Sequence, residues 1–292
     1  MTKGGKSAVL IAGPTASGKS ALALRLARER DGIIVNTDAL QVYGVLRLIT
    51  ARPSDADLTA APHLLYGTVP PAIRFSTGDW SRAAQAIIAA HPGRTLIFAG
   101  GTGLYFESLV SGFAEIPHVP PEAVAAAAAE IVGLDREARG RLIAERDPAI
   151  AARLKAPAPQ RVIRALAVLH ATGRSLASFQ DEAQRGLLDG YALEKLVLSP
   201  DRDVLRQRIA LRFEAMFAEG AVEEVRALLA LNLDPNLPAM KAIGVPEIAA
   251  MLNGELGQAE AIERAIIATR QYAKRQRTWF RSRMADWDWV TP

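Results

Sequence analysis

The sequence predicts an α/β fold, a parallel sheet covered by helices, on three observations. Short apolar runs alternate with helical patterns through the first half of the 292-residue chain. Each run is continuously hydrophobic, as expected of a strand that is buried on both faces. The third observation is a phosphate-binding loop with the spacing G-x-x-x-x-G-K-[ST], which starts at Gly13 directly after the first run.

The phosphate-binding loop has the strand–loop–helix context that this motif requires. An apolar run over residues 8–12 precedes it, and a helical pattern over residues 19–30 follows it. The glycines let the backbone wrap around a phosphate, and the helix N-terminus adds positive potential. Lys19 contributes a point charge, and Ser20 can hold a magnesium ion. The predicted fold is therefore a P-loop NTPase-like parallel sheet flanked by helices. Its predicted phosphate-binding residues are Gly13, Pro14, Thr15, Ala16, Ser17, Gly18, Lys19 and Ser20.

Further strands are predicted where short apolar runs end in glycine or polar residues. The run over residues 32–36 leads into Asp38, and the run over residues 95–99 leads into Gly100, with a helix from Leu104. Periodicity of about 3.6 residues predicts the other helices of this part of the chain. The remaining predicted strands cover residues 63–69, 193–198 and 287–290, and the remaining helices cover residues 80–90, 201–217, 221–231 and 258–283.

The sequence changes character near Pro117. From residue 121 to about residue 185 it shows helical periodicity and no convincing strand, with an alanine-rich stretch that favours helix. We therefore expect an all-helical insertion domain over residues 117–189. The core domain is expected to consist of residues 1–116 and 190–292. The predicted helices of the insertion cover residues 122–132, 136–145 and 161–172.

The composition of the chain excludes several classes of protein. The absence of cysteine excludes disulfides and Cys-based metal sites. No apolar run approaches the ~18 residues of a membrane span, and the N-terminal apolar run is too short for a signal peptide. We therefore expect a cytoplasmic protein. With 35 basic and 31 acidic residues, the net charge of +4 is mild.

The basic residues concentrate near the C-terminus. Residues 264–283 contain seven basic residues and no acidic one, interleaved with Tyr272, Trp279 and Phe280. Such a segment is typical of a nucleic-acid-binding surface, because aromatic rings stack on unpaired bases. A solvated helix face is the alternative, and the sequence does not decide between the two. The basic residues are Arg264, Arg270, Lys274, Arg275, Arg277, Arg281 and Arg283.

Asp38 follows the second predicted strand, at the carboxyl edge of the sheet where doubly wound folds bind ligands. A carboxylate there can ligate magnesium, hold a substrate hydroxyl or accept a proton, although it also suits a capping turn. The strand over residues 95–99 ends in Gly100-Gly101-Thr102-Gly103. Hydrolytic P-loop enzymes usually carry a magnesium-holding aspartate at such a strand end. The pattern disfavours a hydrolase and leaves a small-molecule kinase, or an enzyme that binds another phosphate in the loop.

In several spaced motifs the chain resembles the tRNA dimethylallyltransferase family, also called the tRNA isopentenyltransferases. The loop reads GPTASGKS from Gly13, and the segment after the second strand reads DALQVY from Asp38. GGTGLY starts at Gly100 and QRVIRAL starts at Gln160. The ordered set spans about residues 8–283 and is far more specific than the loop alone. Two further matches are TARP at residues 50–53 and TRQYAKRQ at residues 269–276, the latter followed by Thr278-Trp279.

The resemblance implies a prenyl transfer. The family moves the dimethylallyl group from dimethylallyl diphosphate to N6 of adenosine 37, just 3′ of the anticodon, in tRNAs that read codons beginning with U. Diphosphate is released, so the loop would bind the diphosphate of the donor rather than ATP. The implied cofactor is Mg²⁺, with Ser20 as a ligand. The implied partners are the tRNA anticodon stem-loop and dimethylallyl diphosphate, and we expect the chain to act as a monomer.

The resemblance also implies roles for individual residues. Asp38 matches the general base or orienting acceptor for the adenine amine, and Thr102 matches a residue near the transferred group and the flipped base. Arg212 matches an arginine that holds the diphosphate, together with Thr15 and Lys19. The helical insertion is expected to contact tRNA. With two cations of the basic segment added, the predicted tRNA-binding residues are Asp38, Ala39, Leu40, Gln41, Thr102, Gln160, Arg161, Val162, Ile163, Arg164, Lys274 and Arg275.

The chain departs from the family pattern at positions that bear on tRNA binding. Ala39 replaces a usual Ser, Ile49 replaces a usual Gly, and Val124 stands where some members have an arginine. Val245-Pro246 replaces a common Tyr-Lys. No Cys/His cluster follows residue 283, so the expectation is a bacterial member.

Three other functions stay open at this stage. A P-loop small-molecule kinase explains Asp38 but not the basic segment. An AMP-specific isopentenyltransferase shares the loop but not the segments at residues 160–166 and 269–279. A non-catalytic RNA-binding module would not need intact Lys19, Ser20 and Asp38.

Overall fold

The structure is a computed structural model that describes residues 6–114, 116–182 and 184–292. Contacts between residues divide the chain into two compact units. We call the first, Met1–Val110 with Leu187–Pro292, the core unit, and the second, Ser111–Gly186, the helical unit. Every helix among the described residues is too short or too polar to span a lipid bilayer.

The core unit is built on a parallel sheet, as predicted. Its six strands among the described residues lie in the order β3-β2-β4-β1-β5-β6, and every neighbouring pair is parallel. Because the strands are parallel, β1, β2 and β4 end at the same edge, with Ala12 opposite Gly100 and Asn36 opposite Ala99. The strands are β1 Ser7–Ala12, β2 Ile33–Asn36, β3 His63–Leu64, β4 Leu96–Gly100, β5 Ala192–Leu198 and β6 Asp288–Val290.

Helices cover both faces of this sheet. Along β1, Leu10 belongs to one hydrophobic cluster and Ile11 to another, which explains why the strand is apolar at successive positions. In the larger cluster the rings of Trp80 and Tyr105 stack at 4.3 Å. The helices of the core unit are α1 Lys19–Glu29, α2 Asp55–Ala60, α3 Thr77–Ala90, α4 Gly103–Val110, α10 Arg202–Ala218, α11 Ala221–Leu229, α12 Val245–Leu252 and α13 Gln258–Arg283, with a short 3-10 helix at Ala239–Lys241.

The helical unit contains only helices and connections among its described residues. Its core is formed by apolar side chains at helical spacing, such as Val162 and Leu166, which are fully buried and cluster with Ile143 and Ile150. The helices are α5 Pro121–Glu130, α6 Arg136–Arg146, α7 Pro148–Ala151, α8 Pro159–Thr172 and α9 Leu176–Asp181.

Two of the predicted elements differ from the structure by more than two residues at an end. The strand predicted over residues 63–69 is wrong beyond Leu64, because Leu65 and Gly67 adopt left-handed backbone conformations that end the strand. The helix predicted from Trp80 begins at Thr77, because Ser76 caps it and Asp79 completes a capping box. Four short helices, α2, α7, α9 and α12, have too few turns to show periodicity and were missed.

Candidate active site

The phosphate loop connects β1 to α1 through a turn that contains two left-handed residues. Ala16 and Gly18 have φ values of 61° and 91°, in the left-handed region. A Cβ atom at Gly13 would stand 2.6 Å from Ser17 Oγ, so any side chain at position 13 would displace the Ser17 hydroxyl. The Ser17 hydroxyl is fully buried and has no hydrogen-bond partner in the described part of the chain. Together with the first N–H groups of α1, it is a donor that a bound anion can satisfy.

Lys19 supplies a cation inside this loop. Its ammonium Nζ donates to the carbonyl of Pro14 at 3.3 Å. Burial lowers the pKa of Lys19 to about 8; the carboxylate of Asp38 opposes this shift, and the guanidinium of Arg212 adds to it. A bound anion would favour the charged form of Lys19.

Arg212 brings a second cation to the loop from α10. Its Nη1 donates to the Thr15 hydroxyl at 3.2 Å. Burial lowers the pKa of Arg212, but a guanidinium keeps its charge under all ordinary conditions. The sequence placed Arg212 here only through the family resemblance, because it lies 197 positions from Thr15 along the chain.

Asp38 follows β2 in a turn that fixes its backbone. The Asp38 N–H donates to Asn36 Oδ1 at 2.8 Å, and the Asn36 amide donates back to the Asp38 carbonyl at 2.9 Å. Asp38 Oδ1 accepts from the Leu40 N–H at 3.0 Å, as in an Asx turn. Oδ2 accepts no hydrogen bond from the described residues and points toward Gly101, 3.2 Å from where a Cβ there would stand. Asp38 is thus a capping residue that also presents a carboxylate oxygen.

The loop after β4 packs tightly against the segment that carries Asp38. A Cβ at Gly100 would stand 2.1 Å from the carbonyl of Thr37, so the two backbones touch. The Thr102 N–H donates to the Thr37 carbonyl at 3.1 Å, and Thr102 Oγ1 accepts from the Ala39 N–H at 2.9 Å. This loop therefore determines the position of Asp38 through hydrogen bonds on either side of it.

Helix α13 closes the site through Gln276, a residue that the sequence singled out only as part of a motif. Its Oε1 accepts from the Thr15 N–H at 3.1 Å, and its Nε2 donates to the Gly101 carbonyl at 3.0 Å. Only 6% of Gln276 is exposed. The same helix packs Trp279 against Gly103, where a Cβ would stand 2.3 Å from the ring.

A cavity lies where these elements meet. Its polar lining includes Thr15, Asp38 and Arg212. Tyr272 also lines it, and burial, with a smaller contribution from Asp38, raises the pKa of this phenol, which stays neutral. Thr102 lies beside the cavity rather than in its wall. The cavity thus combines anion-binding groups with an apolar surface, whose members are Leu40, Ile49, Ala51, Ile209, Phe213, Met216, Ala242 and Ile243.

The loop that bears Ile49 is held by a carboxylate from α11. Glu224 accepts from the N–H groups of Leu48 at 2.8 Å and Ile49 at 2.9 Å, and also from that of Arg47. The Gln41 amide donates to the carbonyls of Thr50 and Ala51 at 2.8 and 2.9 Å. Gln41 is thus engaged within the protein, and it stabilises one wall of the cavity.

A basic groove runs between α10 and α13. Its floor is apolar and is formed by Leu205, Ile209 and Ala273. These three residues form a hydrophobic cluster with Ala16 of the phosphate loop. Arg275 is not part of the groove; its guanidinium lies 5.8 Å from the ring centre of Tyr272. The six basic residues that line the groove are Arg202, Arg206, Arg270, Lys274, Arg277 and Arg281.

The predicted tRNA-binding residues of the helical unit occupy the first turn and a half of α8. Gln160, Arg161 and Arg164 are exposed, and Ile163 is half-buried. Val162 is fully buried in the core of the unit, so its side chain serves packing. The exposed members form one polar edge on this unit.

The described residues contain no group of three or more His, Cys, Asp and Glu side chains that could hold a metal ion. The predicted metal ligand Ser20 is exposed in the first turn of α1. Mg²⁺ usually binds through one or two protein ligands and completes its shell with substrate phosphates and water. One hydroxyl beside an anion-binding loop fits that pattern.

Comparisons with known proteins agree on one family. A family model described as IPP transferase matches residues 41–283, and one described as isopentenyl transferase matches residues 6–68. The tRNA dimethylallyltransferase of Chelativorans sp. (strain BNC1) is 51% identical over 286 residues, covering 97% of this chain and 98% of that protein. The tRNA dimethylallyltransferase of Agrobacterium fabrum is 50% identical over 288 residues, covering 97% and 95%.

Solved structures share the fold. The tRNA isopentenylpyrophosphate transferase of Bacillus halodurans superposes with a TM-score of 0.68 at 30% identity, covering 98% of this chain and 90% of that one. A eukaryotic dimethylallyltransferase acting on tRNA superposes with a TM-score of 0.79 at 24% identity, covering 94% and 70%.

Proposed function

The chain belongs to the tRNA dimethylallyltransferase family, and on that premise we propose that it transfers the dimethylallyl group from dimethylallyl diphosphate to N6 of adenosine 37 in tRNAs that read codons beginning with U. The observation that carries this proposal is the cavity. Thr15 of the phosphate loop, Asp38 and Arg212 meet there at an apolar wall. A diphosphate joined to a short branched hydrocarbon requires such a combination of surfaces.

The diphosphate of the donor binds in the phosphate loop. Lys19, the N–H groups at the start of α1 and Arg212 face the anion, and the apolar wall with Ile209 and Phe213 receives the hydrocarbon. These donors also stabilise the charge that grows on the leaving diphosphate, in a partly buried site where electrostatic interactions are strong.

The acceptor reacts from the side of Asp38. The lone pair of the adenine N6 forms a bond to the first carbon of the allyl group, and the bond from that carbon to the diphosphate oxygen breaks with its electron pair. The N6 proton passes to Asp38 Oδ2, the oxygen that accepts no hydrogen bond from the described residues. Thr102 holds the backbone on either side of Asp38 through its hydrogen bonds to Thr37 and Ala39.

Mg²⁺ is proposed as the cofactor. Ser20 would hold it together with oxygens of the diphosphate, and the ion would neutralise charge on the leaving group.

We propose that tRNA contacts each unit through its own set of residues, because the target base is stacked in the anticodon arm and must be extruded to react. In the core unit these are the basic groove, with Lys274, and Arg275 beside it. In the helical unit they are the exposed polar residues of α8, among them Arg161. We further propose that the chain acts as a monomer, and a tRNA substrate supports a cytoplasmic location.

The experiment combines the purified protein with Mg²⁺, labelled dimethylallyl diphosphate and unmodified tRNA. We expect label in the tRNA, at N6 of one adenosine after nuclease digestion. Label that enters only AMP would establish the AMP-specific alternative, which shares the phosphate loop. Turnover of ATP without prenyl transfer would establish a small-molecule kinase.

A further inference from the structure

The buried amide of Gln276 connects the donor side of the site to the acceptor side. We propose that Gln276 is a positioning residue that holds the phosphate loop and the loop bearing Gly101 at the spacing that prenyl transfer requires. The inference rests on the proposed function and deepens it. It starts from the two hydrogen bonds, 3.1 Å from the Thr15 N–H and 3.0 Å to the Gly101 carbonyl.

On the donor side, Thr15 is held from two directions. Its N–H donates to Gln276 on α13, and its hydroxyl accepts from Arg212 on α10. The backbone of Thr15 therefore cannot turn without breaking the bond to Gln276. Through Thr15, Gln276 also determines where Arg212 meets the phosphate loop.

On the acceptor side, Gly101 lies within the contacts that fix Asp38. Its neighbour Thr102 bonds to Thr37 and Ala39, the residues on either side of Asp38. A Cβ at Gly101 would stand 2.1 Å from Gln276 Nε2 and 3.2 Å from Asp38 Oδ2. The Gln276 amide and the Asp38 carboxylate thus both lie next to Gly101, so a displacement of the amide would also displace the carboxylate.

The chemistry of the two partners requires an amide. The Thr15 N–H needs an acceptor and the Gly101 carbonyl needs a donor, and a planar carboxamide carries both. A carboxylate has only acceptors, and a methionine side chain of similar length replaces neither bond. Because Gln276 is 6% exposed, water would not readily substitute for a lost bond.

The alternative is a purely structural role, in which Gln276 anchors α13 and contributes only to the stability of the fold. The two roles differ in one measurable respect. In Gln276→Glu we expect burial to raise the pKa of the introduced carboxyl, whose protonated form again offers one acceptor and one donor. The positioning role therefore predicts that this variant recovers activity as the pH falls, while Gln276→Met does not.

The test compares kcat and KM of the wild type, Gln276→Met and Gln276→Glu in the labelled tRNA assay between pH 6 and pH 8. The wild type must first transfer label, since its failure would reject the proposed function and not this inference. For Gln276→Met we expect kcat to fall by about 10- to 100-fold, with KM for tRNA within about threefold of wild type, because alignment and not RNA binding is lost.

For Gln276→Glu we expect the ratio of its kcat to that of the wild type to rise by about tenfold between pH 8 and pH 6. Asp38, Lys19, Arg212 and Tyr272 are the other ionisable groups of the site, and taking the ratio cancels the pH effects that the variant and the wild type share, such as that of Lys19 with its pKa of about 8. Gln258→Met and Gln258→Glu, at an exposed position at the start of α13, are the matched controls and should behave as wild type.

Two results would overturn the inference. One is a wild-type kcat in Gln276→Met. The other is a pH-independent ratio for Gln276→Glu in a protein whose thermal unfolding matches that of the wild type, because folding would then be intact and the restored donor would have no effect.

Discussion

The guanidinium of Arg212 donates to the hydroxyl of Thr15 across 3.2 Å, so a cation from α10 is fixed against the phosphate loop. In the proposed reaction this cation faces the leaving diphosphate. We predict that Arg212→Gln lowers kcat/KM for dimethylallyl diphosphate by about 100- to 1000-fold, the usual effect of removing one donor to a developing negative charge. Initial rates at varied donor concentration and saturating tRNA measure it.

Arg226→Gln is the control for that variant. Arg226 is an exposed arginine on α11 that pairs with Glu223 at 3.7 Å, and its loss should leave kcat/KM unchanged. Equal losses in the two variants would show that Arg212 has no specific role in donor binding.

Asp38 gives a second prediction, for Asp38→Asn. The amide keeps an oxygen that accepts from the Leu40 N–H at 3.0 Å, so the turn should stay intact. It cannot accept the N6 proton, and we expect kcat to fall by about 100- to 10,000-fold, as for loss of a general base. The dissociation constant for tRNA, measured by filter binding, should change little. Asp31→Asn, at an exposed carboxylate that pairs with Arg94 at 3.0 Å, is the control. A large loss of tRNA affinity with normal turnover at saturation would remove Asp38 from the catalytic role.

The pH dependence follows from Lys19. Its pKa is about 8 in the free protein, so the ammonium is charged below this pH and neutral above it. Because an anionic donor binds the charged form, kcat/KM for the donor should be flat below pH 8 and fall above it. In Lys19→Arg the guanidinium stays charged, and the alkaline decrease should disappear even where the absolute rate is lower. The same decrease in both proteins would assign it to another group.

The parts of the site that could be predicted from the sequence are those that local motifs and the parallel sheet determine. The loop at Gly13 and the position of Asp38 at the end of β2 follow from strand ends that meet at one edge of the sheet. The role of Arg212 could be predicted only from the family resemblance, because no local pattern distinguishes it from the other arginines of α10.

The contacts of Gln276 could not be predicted, because they depend on the rotation and register of α13 against two loops far away in the chain. The same holds for the groove, which needs the packing of α10 on α13. The wrong prediction of a strand over residues 63–69 has a local cause instead. Leu65 is an apolar residue in a left-handed conformation, which side-chain patterns do not reveal.

The basic groove gives the last prediction, for the double variant Arg270→Ala with Lys274→Ala. Both side chains lie in the groove between α10 and α13. The association constant K for tRNA falls as the salt concentration rises. Each phosphate contact that is lost should reduce the magnitude of the slope of log K against log salt concentration by about 0.7 to 0.9. We therefore expect weaker tRNA binding and a slope that is smaller by about 1.4 to 1.8, measured by filter binding between low and moderate salt.

The turnover number of this variant at saturating tRNA should stay near wild type, because neither residue lines the cavity of Asp38. Arg25→Ala with Arg28→Ala removes two exposed cations from α1 and leaves the net charge of the protein equal to that of the groove variant. If the magnitude of the slope decreases equally in both variants, the effect reflects the net charge of the protein. If neither does, the cations of the groove form a solvated helix face that does not bind RNA. A smaller slope in the groove variant alone would locate tRNA phosphates between α10 and α13.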